Sequence, residues 1–190
     1  MQQATKEDIP SLINILAPAF ADNRSVNRCV KQDSKRMERI ENQIRYISNI
    51  SLRNEMAFVN KDKTTAMLSN LSYGSKATLS DDLYFITKVS GVGLGLQLLK
   101  REKLLKAMNP TYDFCHLWFI GVVPELQGQG LGTETLNFLK AQCEQKGLPI
   151  HLETSNPRNI KFYENNGFTL QEKKRLPMDN FDLYFYAWQP

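Results

Sequence analysis

The sequence predicts an α/β fold in one domain, and three features carry that prediction. Apolar residues recur at helical spacing through the first fifty positions. A nearly unbroken apolar run, Phe114 to Val123, passes through glycines directly into another helical pattern. Short alternating strands and a brief helix make up the tail. The 190 residues are enough to bury a core without disulfide or metal support, so residues 1–190 are read as a single domain. With 42% hydrophobic and 23% charged residues and a mean hydropathy of −0.41, the composition argues against disorder, collagen-like repeats and coiled coils. No apolar stretch approaches the roughly 20 residues that cross a bilayer, and the opening MQQATKEDIP lacks a signal peptide's apolar centre. A cytoplasmic protein without a membrane partner is expected. Cys29, Cys115 and Cys143 form no CxxC pair, so neither a disulfide framework nor a metal site is suggested.

Ile9, Leu12, Ile13 and Leu16 mark a first helix that ends near Pro18 to Phe20, with Thr5 or Asp8 as its cap, and Asp22-Asn23 reads as a turn into a loop. Met37, Ile40, Ile44 and Ile47 step by 3, 4 and 3, which places a second helix over Lys31 to about Leu52. All of the net charge of +4 is N-terminal: residues 1–80 carry 12 Lys and Arg against 8 Asp and Glu, and eight of those bases lie between Arg24 and Arg53. They read mostly as the wet face of that second helix, with nucleic-acid binding ranked far last. Glu55–Asn60 and Thr64–Leu71 are strand candidates around a hairpin turn at Lys61-Asp62-Lys63.

Between Asp81 and Met108 the leucines favour helix, but Gly91, Gly93 and Gly95 interrupt it, giving two helical pieces; the GVGLG run follows no strand and is read as a kink or packing feature. Phe114 to Val123 is a central strand stopped by Pro124. Leu136, Leu139 and Cys143 continue a helix to Lys146-Gly147; Pro149–Thr154 is a strand, Pro157–Asn166 a brief helix, and Phe168–Lys174 and Asp182–Trp188 are the last strands.

The segment that carries chemistry is Val122-Val123-Pro124-Glu125-Leu126-Gln127-Gly128-Gln129-Gly130-Leu131-Gly132-Thr133, a strand running through glycines into a helix. The first N–H groups of a helix lack partners and sit at the positive end of its dipole, so a loop without Cβ atoms lets phosphate oxygens approach several donors together. No GKS or GKT closes it, and its spacing is not GxGxxG. Three glycines at alternate positions exceed what a tight turn needs.

Gln127-Gly128-Gln129-Gly130-Leu131-Gly132 resembles the acyl-CoA pyrophosphate loop of the GNAT superfamily of N-acetyltransferases. Downstream, LETSNPRNIKFYENNGF over Leu152–Phe168 is similar to the family's second motif, most of all in its puromycin N-acetyltransferase-related branch. The likeness covers Phe114 to Trp188 closely and the front half in element order only. It implies a GNAT-like fold, a mixed and mostly antiparallel sheet splayed at the acetyl-CoA site and flanked by helices. It also implies acetyl transfer from acetyl-CoA to a primary amine of a small molecule, by direct attack in a ternary complex of a monomer or homodimer. A non-catalytic CoA-binding or regulatory module is the alternative.

The resemblance places pyrophosphate on the N–H groups of Gln127 to Thr133. Many relatives carry a basic residue inside the loop where this chain has Gln129, so Arg158 or Lys140 is considered as a helper. Main-chain groups of Gly121, Val122 and Val123 are expected to meet the pantetheine arm, Gly121 marking a bulge or a close backbone approach. Asn159 and Asn156 are candidates for the same arm or for helix caps, capping being favoured for Asn156. Tyr163 is the expected general acid for the departing thiolate. His116 and Glu153, polar residues within apolar strands, compete for the role of base, and Trp118 points to the same side as His116. His151 is read as exposed. Phe20, Asp22, Asn23, Trp118 and Tyr184 are expected to wall the acceptor pocket.

Overall fold

The alternating and continuous apolar runs become the strands of one sheet: β1 (Gln2–Gln3), β2 (Ala57–Val59), β3 (Thr65–Leu71), β4 (Cys115–Val122), β5 (Ile150–Thr154), β6 (Thr169–Lys174) and β7 (Leu183–Trp188). In this computed structural model, which describes residues 1–190, their spatial order is β1-β2-β3-β4-β5-β7-β6. Every neighbouring pair is antiparallel except β4 and β5, which run parallel. That pair meets only at Cys115↔Ile150 and His116↔His151. From Leu117 onward the edge of β4 that faces β5 therefore has no ladder partner, and the two strands part. The mixed, mostly antiparallel, splayed sheet is as expected.

Helices α1 (Ile9–Phe20) and α3 (Arg36–Arg53) cover one face, burying Leu12, Leu16, Ile40 and Ile44 with Leu68 and Phe119. Helix α6 (Leu131–Glu144) and the short α7 (Ile160–Asn165) cover the other, where Leu136, Leu139, Leu117, Ile150 and Tyr163 share a core. Each fully buried leucine contributes about 1.5–3 kcal/mol. A π turn over Phe85–Ser90 extends α4 (Leu79–Tyr84), and α5 (Val92–Lys106) follows Gly91, whose φ of 72° ends the first piece. The helical run opens at Thr78 rather than at Asp81: Asp81 is the third residue of a capping box on Thr78.

Three local readings are corrected. Residues 24–29, read as loop, form helix α2 (Arg24–Cys29), because the Asn23 carboxamide oxygen accepts from the Val26 N–H at 3.0 Å and caps it. The next helix starts at Arg36 instead of Lys31. The bulge lies at Trp118 rather than Gly121: Leu68 pairs with Phe119 and Ser69 with Leu117, leaving Trp118 as the extra residue. Leu117 consequently packs in the α6 core, whereas Trp118 and Phe119 both pack in the α1 core. Gly121 answers the other half of its expectation, since a Cβ there would lie 2.8 Å from Leu16 Cδ2 and 3.3 Å from Ala19 Cβ, so α1 crosses β4 at glycine distance.

A buried ion pair ties the helices of the α1 side to the end of the sheet. Arg101 of α5 donates to Asp179 from Nε at 2.9 and 3.2 Å, and its Nη2 donates to Ser25 Oγ at 3.0 Å. Arg28 Nε lies 3.5 Å from the same carboxylate, and the Ser25 N–H donates to Ser155 Oγ, just past β5, at 3.2 Å.

Candidate active site

Pro124 stops β4, and a 3-10 turn over Pro124–Leu126 leads into the glycines. Gly128 and Gly130 have φ of 80° and 87°, left-handed values that glycine adopts without strain, and a Cβ on either would meet open space. Open space and left-handed backbone together mean that these glycines serve the path of the chain and access to it. The Gln127 N–H bonds to the Pro124 carbonyl at 3.3 Å and so leaves the expected donor set, while its side-chain amide donates to the Val122 carbonyl at 3.2 Å. The N–H groups of Gly128, Gln129, Gly130, Leu131, Gly132 and Thr133 have no acceptor in the chain; intrahelical bonding begins at Glu134, which donates to the Gly130 carbonyl. Six consecutive unpaired donors at a helix N-terminus suit a diphosphate.

Of the two proposed cationic helpers, Lys140 is engaged elsewhere. Its ammonium donates to the Asn166 carbonyl and lies 5.5 and 5.6 Å from the ring centroids of Phe168 and Trp188. It sits about two and a half turns along α6 from the loop, roughly 14 Å by the helical rise. Arg158 is exposed beside α7. A β-branched side chain at a φ of 87° is strongly disfavoured, so Gly130→Val is expected to force the loop to refold and to weaken acetyl-CoA binding about tenfold or more in calorimetry. An unchanged dissociation constant would remove the loop from the binding site.

The parting of β4 and β5 places His116 and Glu153 across the gap. His116 Nε2 lies 2.6 Å from Glu153 Oε2, and the Trp118 indole N–H donates to His116 Nδ1 at 3.0 Å. The indole is a donor only, so Nδ1 holds a lone pair and Nε2 carries the proton that goes to Glu153. Both ring nitrogens are thus engaged, and the acceptor capacity that remains belongs to the carboxylate. Burial raises the Glu153 carboxyl, but the electrostatic influence of the His116 N–H and its hydrogen bond, with Arg101 beyond, more than offset it and hold it below its ordinary value. Glu153 is therefore ionised at neutral pH.

Tyr163 is only 6% exposed, set in an aromatic cluster with Phe162, Phe168 and Tyr186 at centroid distances of 5.2, 5.7 and 5.9 Å. Burial, and then the charge of Glu153, push its phenol up, so it is protonated at any working pH. Asn156 is a cap, as favoured, accepting from the Arg158 N–H at 3.1 Å; Asn159 Nδ2 stands 3.5 Å from Thr154 Oγ1. Val123 and Gly121 are removed from the main-chain set: the Val123 N–H donates to the Thr64 carbonyl and its carbonyl accepts from Leu126, and Gly121, of the same orientation, is paired with Ala66 of β3, which leaves Val122, whose N–H faces the free edge.

The expected acceptor wall is divided. Phe20 packs edge-on against Phe119 at 4.6 Å, Asp22 is exposed, and Asn23 is the α2 cap. Tyr184 lies on the wrong face. It pairs with Thr154, packs with the α6–α7 core and carries the Lys173 ammonium 5.5 Å from its ring centroid, whereas its neighbour Phe185 pairs with Glu153 and shares the Glu153 face. His151 is half-buried, not exposed, held by the Tyr112 hydroxyl at 3.1 Å and packed 5.0 Å from Phe114. Sequence reasoning missed Phe185 and Glu172 because alternation alone cannot tell which side of β7 meets which helix.

A family model described as the GNAT acetyltransferase family matches residues 70–168, 99 of the 190. The chain belongs to the GNAT acetyltransferase family. An uncharacterised N-acetyltransferase of Schizosaccharomyces pombe is 37% identical over 68 residues, 34% of this chain and 28% of that relative, so the match spans well under half of the relative's length. An acetyltransferase from Corynebacterium glutamicum related to histone acetyltransferase HPA2 superposes with a TM-score of 0.70 at 15% identity, covering 100% of this chain and 94% of the other. The Drosophila melanogaster polyamine N-acetyltransferase superposes with a TM-score of 0.65 at 14% identity, covering 100% and 98%. At such identities these two structures establish the GNAT fold. No helix is long and apolar enough to cross a membrane.

Proposed function

We propose that this protein is an acetyl-CoA-dependent N-acetyltransferase, one domain that acts in the cytoplasm on a primary amine of a small molecule by direct attack in a ternary complex. The observation that carries the proposal is the row of six unpaired N–H groups leading to the gap where Glu153 and His116 meet. Acetyl-CoA, when bound, supplies the acetyl group as a thioester. The amides of Gly128 to Thr133 hold its diphosphate, and the free edge of β4, where the Val122 N–H points away from β3, is open to main-chain hydrogen bonds with the arm, like an added strand. Glu153 accepts the proton of the attacking amine, His116 and Trp118 fix the carboxylate's orientation, and Tyr163 donates a proton to the leaving sulfur. The small acceptor is supported by the puromycin-like character of Leu152–Phe168 and by the Drosophila neighbour, described as forming N-acetylagmatine.

Thiol release from acetyl-CoA over a panel of small amines, puromycin and polyamines included, tests the proposal; binding of acetyl-CoA without release from any amine overturns it. The depth of Tyr163 in its aromatic cluster is the observation that favours the alternative, a non-catalytic CoA-binding module. Tyr163→Phe separates the two. If the phenol protonates the leaving group, kcat falls about 10²-fold with KM for acetyl-CoA nearly unchanged; an unaltered kcat would show the tyrosine to be core only.

A further inference from the structure

On the α1 side of the sheet, a cleft of about 210 Å³ opens directly off the His116–Glu153 pair, with Phe185, Tyr112, His151 and Glu172 among its walls and the segment Met108 to Pro110 along its side. No lysine or arginine lines it. The strand register explains its shape. Glu153 of β5 pairs with Phe185 of β7, and Phe185 pairs with Glu172 of β6, so the three side chains stand in one row across adjacent strands and project from the same face. Two interstrand spacings separate the carboxylate-bearing residues by roughly 10 Å, with an aromatic ring midway. The shift in register at Gln171 brings Glu172 into that row.

Resting on the acetyl-transfer reading above, we propose that this cleft is the acceptor site and that it selects an amine bearing a second cationic group, with Glu153 at the reacting nitrogen, Glu172 at the remote cation and the connecting chain across Phe185. The remote group is an ammonium or guanidinium. A charge-assisted hydrogen bond of about 2.8 Å shortens the roughly 10 Å separation by its full length when it lies along the row and by nothing when it stands off the sheet, so the two nitrogens stand about 4–10 Å apart, a range that the roughly 6–8 Å reach of a four- or five-carbon chain falls within. Phe185 offers the methylenes an apolar surface, burial holds the His151 imidazole below its ordinary pKa, and the Trp118 hydrogen bond to Nδ1 keeps His116 neutral, so neither ring adds a repelling charge at neutral pH. Lys174, whose ammonium lies 3.4 Å from Glu172, is about half exposed and outside the cleft's lining; such a surface pair yields readily to a bound cation.

The test compares 1,5-diaminopentane with pentylamine in wild type and in Glu172→Gln, a substitution on an exposed strand position. In the wild type, kcat/KM for thiol release is expected to be about tenfold or more higher for the diamine, and in Glu172→Gln that ratio is expected to approach the factor of about two that a second identical amine supplies. Calorimetric titration of both amines into CoA-saturated protein should show the same preference and its loss. A preference for the diamine no greater than twofold, or one that survives Glu172→Gln, overturns the site assignment while acetyl transfer stands. Selective, Glu172-dependent binding of the diamine without thiol release keeps the site and overturns acetyl transfer.

Discussion

Glu153→Gln is expected to lower kcat/KM for amine acetylation by about 10²- to 10⁴-fold, the contribution of a positioned general base, with acetyl-CoA affinity within a fewfold of wild type. The amide keeps the size of the carboxylate and a carbonyl oxygen for His116 Nε2–H, but it takes up no proton from the attacking amine. Because both His116 nitrogens are engaged, the ring offers no ready substitute. The pH dependence follows in sign. The folded-state value of Glu153 lies below that of an unfolded chain, so its ionisation contributes stability that is fully present above the ordinary carboxyl pKa, about 4.3, and is lost as pH falls through the lower folded value. Wild-type protein should therefore lose part of its thermal stability, and its acid-side activity, in that low range, and the glutamine variant should lack this component. A loss of rate under tenfold would move the base elsewhere.

Asp179→Ala is expected to destabilise the fold by about 3–5 kcal/mol in urea unfolding, because Arg101 would remain buried at 5% exposure with its principal counter-charge removed. For a domain whose whole stability is about 5–15 kcal/mol, that is a large fraction. Arg28 loses its anion in the same step, and the link from α5 through Ser25 to Ser155 loosens the side of the molecule that carries the acceptor cleft. The cradle at the start of α6 takes no part in this network, so the folded fraction should still bind acetyl-CoA. A cost under 1 kcal/mol would mean that water replaces the pair.

The cradle was legible because it is local: glycine spacing, the strand before it and the helix after it lie within a dozen residues, and backbone geometry follows from them. The pairing of His116 with Glu153 was visible only as two polar residues in apolar strands, and which of them accepts a proton depended on the Trp118 hydrogen bond. Residues 24–29 read as loop because their apolar content is slight; Asn23 and the helices packed around Val26 make them a helix.

The amino-acid order alone determined the α/β class, most of the element types and the donor row from Gly128 to Thr133, since period, capping and glycine conformational freedom are short-range properties. The tertiary structure decided which face each strand residue occupies, and hence that Phe185 rather than Tyr184 meets Glu153. It also paired Arg101 with Asp179 and set Glu153 and Glu172 in one row on either side of Phe185. Those relations depend on strand order and on one extra residue at Trp118, which are settled when distant segments pack and leave no periodic trace in the chain.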